Sequence, residues 1–466
     1  MATSRWSGKR ILQAFGITVG GTFFPFSLWA KNETGEPLIL PDNPLHKKLS
    51  KPVTAITFGA GARGNVYGDY AIEYPDQLKI VGVADPNPLR IERYARKHRL
   101  PSDACFTAWE DVFRQPKFAD AIIIATPDQL HFEPCMAALK MGYDILLEKP
   151  ISPSEDECRA ILNLTRKTGR IVAVCHVLRY APYFVKLREL IQSGTIGEII
   201  SMQHMEPIEH THMAHSYVRG NWHNSQTTTP ILLAKSCHDL DIIKWMLGKE
   251  SKHVQAFGSL KWFKKEHAPK GSKARCIDGC AVESVCPYSA LKIYHRKRDR
   301  TYVFDLPENK RKQGEAILQY LKTSDYGRCV YRMDNDQCDH YVANILFDND
   351  VTASFNMEAF TPYGGRRTRV MGSMGFIEGD MNQLSVHDFR TDKVKKYVSK
   401  VQEVQNYKNE GHGGGDWRLV ADWIQAVSQH DPNLLSSTIE ASIESHIMCF
   451  KAEESRLTKE VREILM

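Results

Sequence analysis

The stretch AITFGAGARG, residues 55–64, decides the fold of the first half of this 466-residue chain. It reads as an apolar strand that runs directly into a Gly-x-Gly-x-x-Gly turn. A second apolar run, VGVAD at residues 81–85, ends in an acid. In this context the glycines permit a tight turn, close approach of a pyrophosphate and close packing of the next helix. The pattern predicts a dinucleotide site built from Gly59, Gly61, Gly64 and Asp85.

The acid at the end of the second strand indicates which dinucleotide binds. Asp85 is positioned to accept hydrogen bonds from both ribose hydroxyls of the adenosine, and a carboxylate there disfavours a 2′-phosphate. NAD is therefore expected rather than NADP. The phosphates are expected at the N-terminus of a helix predicted over 63–74, where free N–H groups and the helix dipole favour anions. The alternative is a glycine-rich turn of another α/β protein.

Strands and helices alternate along the first half of the chain. The predicted strands are 53–58, 78–84, 120–125, 144–148 and 171–175. The predicted helices are 63–74, 88–98, 107–114, 130–141 and 154–168. Short loops between alternating elements predict a doubly wound, mostly parallel sheet, whose ligands bind at the carboxyl ends of the strands. This defines an NAD-binding Rossmann domain over 51–177.

The second half has a different pattern, with runs of strands joined by hairpins. Strands are predicted at 198–206, 253–259, 341–347, 351–358, 367–371 and 375–379. Helices are predicted at 182–193, 415–429 and 436–460. Consecutive strands predict a separate α+β domain over 178–466 with a largely antiparallel open sheet. An insertion with few periodic signals occupies about 260–340.

The bulk composition, 42% hydrophobic and 25% charged, is typical of a globular protein. The net charge is +6 on 61 basic and 55 acidic residues, an excess too small to call for nucleic acid as a partner. Residues 1–30 have a basic start, an apolar run and a small residue at the end, which predicts an export signal, followed by a linker at 31–50. A periplasmic or exported location with no stable membrane span after signal removal follows. A cytoplasmic location is the alternative, and eleven cysteines support it.

A lysine follows the fourth predicted strand. Glu148, Lys149 and Pro150 lie where that strand ends, beside the place expected for the nicotinamide. The residue before a proline is held extended, so Lys149 is presented in a fixed direction, and a cis bond to Pro150 is expected. Lys149 is therefore a candidate to bind a substrate hydroxyl and stabilise the alkoxide that forms as hydride leaves.

Three motifs in order resemble the glucose-fructose oxidoreductase and inositol dehydrogenase family (Gfo/Idh/MocA). They are the glycine turn at 59–64, TPDQLH at 126–131 and EKP at 148–150. The resemblance covers roughly 52–460. It implies hydride transfer between NAD(P) and sugars, polyols or related compounds, and a sheet that commonly forms oligomer contacts, so a homo-oligomer is expected. It also implies cofactor contacts from Gly59, Gly61, Ala62, Arg63, Gly64, Asp85, Thr126, Pro127, His131, Glu148 and Lys149.

The resemblance also assigns a catalytic histidine. In the segment LAKSCHDLD, residues 233–241, His238 matches the histidine of the family pattern D-x-x-x-H on the first helix of the second domain. An imidazole titrates near working pH, so His238 is the candidate general base. Ala234 stands where the family usually has the acid. Lys235 is expected to supply a polar contact in its place, with Asp239 or Asp241 as alternatives that adjust His238.

Weaker substrate candidates follow the last Rossmann strand or lie in loops of the second domain. A mobile loop over the crevice is expected at 204–224, with Trp222 as a sugar-stacking platform, and a metal held by His210 and His212 is a less favoured alternative. His412 starts a helix with Asp416, which is equally well explained as a helix cap. The substrate candidates are His176, Arg179, Tyr180, Trp222, Lys235, Asp241 and His412.

The insertion holds a cysteine cluster. Cys276, Cys280 and Cys286 lie close together in sequence, and Cys329 is a fourth candidate. Four thiolates suit a structural zinc or an iron–sulfur cluster, and two disulfides suit an exported protein equally well. A structural link is favoured over a redox centre.

These observations favour an NAD-dependent oxidoreductase that acts on a sugar, polyol or glycoside hydroxyl. An exported enzyme cannot easily exchange free NAD, so the first alternative is a glycosidase that retains NAD and works through a transient keto-sugar. The second alternative is a nucleotide-binding sensor without turnover, which the loss of the acid at Ala234 supports. The sequence does not identify the sugar or the carbon.

Overall fold

The apolar runs of the first half form a six-stranded sheet in a computed structural model of the protein, which describes residues 36–37, 49–398 and 411–466. Its strands are β2 (Val53–Phe58), β3 (Leu78–Ala84), β4 (Cys105–Phe106), β5 (Ala121–Ile124), β6 (Asp144–Leu147) and β7 (Val172–Val174). The spatial order is β4-β3-β2-β5-β6-β7 and every pairing is parallel. The predicted doubly wound sheet is confirmed, with its topological switch point between β2 and β5.

Helices cover this sheet, and their ends follow from local sequence. They are α1 (Ala62–Glu73), α2 (Pro88–His98), α3 (Trp109–Val112), α4 (Phe132–Lys140) and α5 (Glu155–Thr168). The Asn87 side chain accepts from the N–H of Leu89 to cap α2, and Ser154 caps α5 in the same way. The helix α5 then ends at Gly169, which has φ +65°.

The second half forms a ten-stranded sheet. Its strands are β1 (Glu36–Pro37), β8 (Ile199–Pro207), β9 (Ser251–Ser259), β10 (His340–Phe347), β11 (Thr352–Glu358), β12 (Arg367–Gly372), β13 (Gly375–Gly379), β14 (Gln383–Asp388), β15 (Lys393–Val398) and β16 (Arg462–Glu463). The order is β1-β15-β14-β13-β12-β8-β11-β10-β9-β16. Only β1–β15 and β8–β11 pair in parallel among these described strands. The largely antiparallel open sheet predicted from the sequence is confirmed.

The remaining helices belong to the second half. They are α6 (Pro182–Gln192), α7 (His210–His212), α8 (Ile231–Ala234), α9 (Cys237–Leu247), α10 (Gln313–Thr323), α11 (Asp416–Gln429) and α12 (Ile439–Thr458). The helix α11 returns to the first sheet, where Leu419, Trp423 and Ile424 share a buried cluster with residues of β2. This return carries the start of α11 to the edge where the glycine turn lies.

The prediction of a mobile loop over 204–224 is wrong. The segment begins as the end of β8, continues through α7 and then forms a π-helix at Met213–Arg219. Every residue of that π-helix is buried. Glu209 caps α7 by accepting from the N–H groups of Thr211 and His212. Packing against the insertion therefore orders a stretch whose polar composition is typical of a loop.

The predicted export signal at 1–30 lies outside the described residues, as does most of the predicted linker. Within the ranges that the structure describes, no helix combines the length and apolar character needed to cross a bilayer.

Candidate functional site

The glycine turn after β2 has a backbone that other residues cannot adopt. Gly59 has φ +87°, and a Cβ there would lie 2.6 Å from the carbonyl oxygen of Ala125. A Cβ on Gly64 would lie 2.0 Å from the carbonyl oxygen of Gly59. Both positions therefore require glycine for packing of the turn against α1 and β5.

Gly61 differs from the other two glycines because it faces open space. A Cβ on Gly61 would meet nothing nearer than the Nη1 atom of Arg90, 3.9 Å away. The following helix starts at Ala62 with no side-chain cap and no acid in its first turn. Free N–H groups beside open space are the features that a pyrophosphate needs. The residues present thus fit a dinucleotide.

Asp85 lies at the carboxyl end of β3, beside this turn. Its side chain is buried, with Oδ2 accepting from the N–H of Ala60 at 2.8 Å and Oδ1 accepting from the N–H of Asn87 at 2.8 Å. Two backbone donors fix the carboxylate against the glycine turn. This is the place expected for an acid that binds the adenosine ribose.

Arg63 and Glu148, both expected to contact the cofactor, bind each other. Arg63 Nε lies 2.5 Å from Glu148 Oε1, and its Nη2 lies 2.6 Å from Asp416 Oδ1 and donates to Tyr67. Burial opposes ionisation, but the charges of Arg63 and Lys149 hold the pKa of Glu148 below its usual value. The network joins α1, the end of β6 and the start of α11. These residues therefore fix the three elements to one another beside the glycine turn.

The second motif also has a positioning role. The His131 ring is fully buried, with Nδ1 2.8 Å from the carbonyl oxygen of Pro150 and Nε2 2.9 Å from that of Thr126. Thr126 in turn donates to the carbonyl of Leu130 at 3.0 Å. His131 therefore ties the loop after β5 to the loop after β6, and with Pro127 it sets the path of the chain at the switch point.

Lys149 lies at the carboxyl end of β6 and is half-buried. Its backbone N–H donates to Glu148 Oε2 at 2.9 Å, and its Nζ donates to the carbonyl oxygen of Ala234 at 2.8 Å. The peptide bond to Pro150 is cis, as the sequence predicts. An ammonium has three donors, so two remain for a ligand.

His238, on the first turn of α9, is 3% exposed and neither ring nitrogen has a hydrogen-bond partner among the described residues. Burial lowers the pKa of His238 well below its usual value, and the charge of Lys149 lowers it further. The imidazole is therefore neutral at pH 7. Buried polar atoms are nearly always paired, so this ring needs a partner that the chain does not supply.

Two further histidines flank His238. The ring centroids of His176 and His412 lie 5.8 Å and 5.6 Å from that of His238. Both ring nitrogens of His176 also lack a hydrogen-bond partner within the described part of the chain, and burial lowers its pKa. His412 Nδ1 lies 3.2 Å from Asp416 Oδ1, which links the row of rings to the Arg63 network. Of the substrate candidates, His176 and His412 are thus beside the catalytic candidate.

Arg179, Tyr180 and Asp241 are differently placed. Arg179 binds Asp241 through two bonds, Nε to Oδ2 at 2.7 Å and Nη2 to Oδ1 at 2.6 Å, with both side chains buried. Arg179 also donates to the carbonyls of Ser436 and Ala441, and the Tyr180 hydroxyl lies 3.2 Å from that of Ser437. Their polar groups are used within the fold, so the structure does not support them as free substrate ligands.

Trp222 was expected to stack on a sugar. Its Nε1 donates to Asp128 Oδ2 at 2.8 Å, and its ring centroid lies 6.1 Å from that of Tyr217. The indole therefore bridges the loop after β5 to the segment after the π-helix. It remains partly exposed.

Lys235 and Asp239, both candidates from the sequence, belong to a charged network near His238 whose other members were not predicted. Lys235 Nζ lies 3.0 Å from Glu206 Oε1, and Arg366 Nε lies 2.5 Å from Glu206 Oε2 and 2.9 Å from Asp239 Oδ1. His204 Nε2 completes it, 3.0 Å from Asp239 Oδ1. Although burial opposes ionisation, Arg366 holds the pKa of Asp239 well below its usual value. The available signal was His204 and Glu206 on the same, buried face of β8.

The predicted structural zinc is not supported. Cys276, Cys280, Cys286 and Cys329 line one cavity of about 10 Å³, yet all four are free thiols. Within the described ranges no group of three or more His, Cys, Asp or Glu side chains is placed to hold a metal ion, which also applies to His210 and His212.

Known proteins are similar to parts of the chain of different length. An oxidoreductase YteT of Bacillus subtilis, described as putative, is 26% identical over 362 residues, which is 75% of this chain and 82% of that protein. The inositol 2-dehydrogenase of Corynebacterium glutamicum strain R is 28% identical over 210 residues, 44% of this chain and 58% of that protein.

Solved structures share the fold. An Agrobacterium radiobacter oxidoreductase in complex with NAD⁺, L-tartaric acid and magnesium has a TM-score of 0.64 at 12% identity, covering 89% of this chain and 99% of that one. Levoglucosan dehydrogenase in complex with NADH and L-sorbose has a TM-score of 0.66 at 16% identity, covering 89% and 100%.

Two family models match in sequence. Residues 54–176 match the oxidoreductase family's NAD-binding Rossmann fold, and residues 188–458 match the same family's C-terminal alpha/beta domain. Together the two matches span most of the chain and correspond to the two sheets. The chain therefore belongs to the GFO_IDH_MocA oxidoreductase family.

Proposed function

We propose that the protein oxidises a hydroxyl-bearing carbon of a sugar, polyol or glycoside and passes the hydride to NAD. The observation that carries this proposal is the position of Lys149, whose Nζ donates at 2.8 Å to the carbonyl oxygen of Ala234, four residues before His238 in the chain. Burial lowers the pKa of His238, and the charge of Lys149 lowers it further, so the ring is neutral; neither ring nitrogen has a hydrogen-bond partner in the described part of the chain. A cation and a base that face one hydroxyl are the groups that alcohol oxidation requires.

The chemistry of the chain's own residues follows from their positions. NAD, when bound, supplies the hydride acceptor. Lys149 donates to the reacting oxygen and stabilises negative charge on it, since Ala234 occupies only one of its donors. His238 accepts the hydroxyl proton on a ring nitrogen. The carbon thus loses a hydride and the oxygen a proton, which leaves a carbonyl and an imidazolium beside Lys149.

The relatives support the substrate class. One similar protein is named an inositol 2-dehydrogenase, and one structure of the same fold is a levoglucosan dehydrogenase in complex with NADH and L-sorbose. Both names describe cyclic polyhydroxy compounds or their products. The unpaired ring nitrogens of His176 and His238, whose ring centroids lie 5.8 Å apart, can hydrogen-bond hydroxyls, which suits the same class in this chain.

The first experiment identifies any dinucleotide that the purified protein releases on denaturation, by mass spectrometry. The second follows NADH absorbance with a panel of inositols, hexoses, anhydrosugars and glycosides. NAD-dependent turnover of one class that Lys149→Met and His238→Gln both abolish supports the proposal. Binding of NAD without turnover on any of these compounds would favour the sensor alternative.

A specific outcome would favour the glycosidase alternative. If NAD co-purifies at one equivalent and a glycoside is cleaved with no net NADH, the hydride returns to the sugar within each cycle. An enzyme exported with its cofactor would need such a cycle. Cleavage that requires Lys149 and His238 would place both reactions in the same site.

We also propose that the protein self-associates through the open face of the ten-stranded sheet. The strands from β8 to β12 line a cavity of about 580 Å³ on that face, with the exposed residues Gln203 and Asn344 among its lining residues. Light scattering after gel filtration measures the mass of the particle. A monomer at micromolar concentration would overturn this expectation.

A further inference from the structure

The insertion between β9 and β10 has a small core of its own. Phe304 is buried in it and stacks on Tyr320, with ring centroids 4.9 Å apart. Ile317 and Leu321 of α10 complete the same core. The segment that follows Phe304 is thereby fixed at one end, and it leads away from the second sheet towards the Rossmann domain.

Residues 305–308, here called the strap, lie along α2. Asp305 Oδ2 accepts from Asn87 Nδ2 at 3.1 Å, and the carbonyl oxygen of Leu306 accepts from Arg93 Nη2 at 3.0 Å. Glu308 Oε1 lies 3.4 Å from Arg96 Nη1. The insertion, which belongs to the second half of the chain, therefore contacts the helix that follows the adenosine-binding strand.

Asn87 connects Asp305 to Asp85, the acid expected to bind the adenosine ribose. The backbone N–H of Asn87 donates to Asp85 Oδ1 at 2.8 Å, while the side-chain amide of the same Asn87 donates to Asp305. Asn87 also caps α2. The strap thus reaches the adenosine end of the dinucleotide site.

Asp305 also contacts a cation beside the glycine turn. Arg90 Nε lies 3.5 Å from Asp305 Oδ1, and its Nη1 lies 3.9 Å from the position of a Cβ on Gly61. Gly61 is the glycine that faces open space. The Arg90 side chain is 39% exposed, so without a partner its long chain would sample many rotamers.

We propose that Asp305 holds Arg90 over the glycine turn, so that the strap slows the release of NAD. The proposal rests on the proposed function only in that the site takes NAD. A fixed guanidinium beside a pyrophosphate binds it more strongly than a mobile one, because less side-chain entropy is lost on binding. The class of ligand is a dinucleotide diphosphate, and Asp305 is a positioning residue.

A purely structural role for the strap makes a different prediction. Ion pairs as exposed as Asp305–Arg90 contribute little to folding, so a structural contact would leave dinucleotide release unchanged. Glu308 supplies the matched control. It lies on the same strap, pairs with an arginine of the same helix and is 79% exposed, yet its partner Arg96 lies farther along α2 from the glycine turn.

The test measures dissociation of NADH from the full-length protein by stopped-flow fluorescence, with excess NAD as the trap, and the Kd of NAD by calorimetry. Asp305→Ala is expected to raise the NADH dissociation rate about 5- to 20-fold. Asp305→Asn, which keeps an acceptor for Asn87 but removes the charge facing Arg90, is expected to behave in the same way. Glu308→Ala is expected to stay within about twofold of the parent.

A double variant tests whether Asp305 acts on NADH release through Arg90. Arg90→Ala is expected to release NADH as fast as Asp305→Ala, and the double variant no faster than either. An unchanged dissociation rate in Asp305→Ala, with an unchanged Tm, overturns the proposal. Full additivity in the double variant overturns it as well. If the parent protein binds neither NAD nor NADH, the proposed function itself fails, which is a distinguishable result.

Discussion

Lys149 Nζ donates to the main-chain carbonyl of Ala234 at 2.8 Å. Ala234 occupies the position where the resembled family usually has an acid, a departure that supported a sensor without turnover. Because the contact uses the backbone, the lysine is positioned whatever side chain position 234 carries. The substitution therefore leaves the placement of the lysine intact, which argues for an enzyme.

Replacement of this lysine should abolish turnover and leave the cofactor site intact. Lys149→Met keeps most of the side-chain volume but removes the charge that stabilises the reacting oxygen, so we expect kcat to fall by about 10²- to 10³-fold. The Kd of NAD, measured by calorimetry, should change by less than about threefold. Lys140→Met, at an exposed position on α4, is the control. Equal activities of the two variants would contradict the assigned role.

Replacement of His238 tests the proton acceptor. His238→Gln removes the base, and we expect kcat/KM to fall by about 10²- to 10⁴-fold. In the parent protein the lowered pKa of His238 keeps the ring neutral below the usual histidine range. The profile of kcat/KM should therefore show no decline at about pH 6.5 and fall only in more acidic solution. His253→Gln, at an exposed position on β9, should match the parent, and a parental decline centred on pH 6.5 would count against a buried base.

The parallel half of the fold was predictable because its strands are short apolar runs between turn signals. The bounds of β2, β3 and α2 agree with the prediction. The strand β4 was missed because two residues carry no periodicity. The strand β15 was missed because its sequence, KVKKYV, is half lysine and its first three residues are exposed.

The site was predictable where a local motif carries the chemistry, as at the glycine turn and at Lys149. It was not predictable where partners come from distant segments. Arg366 and Asp239 lie 127 positions apart, and no spacing rule connects them. Arg179 was predicted to be a ligand because it follows the last Rossmann strand, and Asp241 because it lies close to His238 in sequence, but their mutual pairing depends on tertiary packing.

Substitutions at two glycines of the same turn should have different effects, one on NAD binding and the other on folding. Gly61→Val adds a side chain into open space with no nearby backbone, so the fold should persist while the Kd of NAD rises by at least about tenfold. Gly59→Ala, at φ +87° with a backbone oxygen 2.6 Å away, should instead lower the yield of folded protein. Circular dichroism and calorimetry distinguish the two outcomes. Unchanged NAD binding by Gly61→Val would mean that the pyrophosphate lies elsewhere.

The buried pair of Arg179 and Asp241 should contribute to stability. Asp241→Asn leaves the guanidinium buried without its counter-charge, and we expect the free energy of unfolding to fall by about 3–5 kcal/mol. Asp388→Asn, which breaks an exposed pair with Arg390, should leave the urea midpoint almost unchanged. Urea unfolding of both variants measures the difference.

Buried histidines make the protein sensitive to mild acid. His176, His215, His238 and His446 are all at most 3% exposed, and burial lowers the pKa of His215 and of His446 to about 3. The unfolded chain protonates these rings near pH 6.5, whereas the folded chain does not. Below that pH the unfolded state therefore binds more protons, and stability must fall as the pH falls.

Each such ring should cost about 1.4 kcal/mol of unfolding free energy per pH unit below pH 6.5. Asp422 acts in the opposite direction, because burial raises its pKa to about 7 and its stabilising effect is lost as the pH rises. The histidines outnumber it, so we expect the urea midpoint to fall steadily from about pH 7 to pH 5. His446→Gln removes one titrating ring, so the unfolding free energy should fall less steeply with decreasing pH, by about 1.4 kcal/mol per pH unit. A midpoint independent of pH over this range would show that the rings are charged, or hydrated, in the folded state.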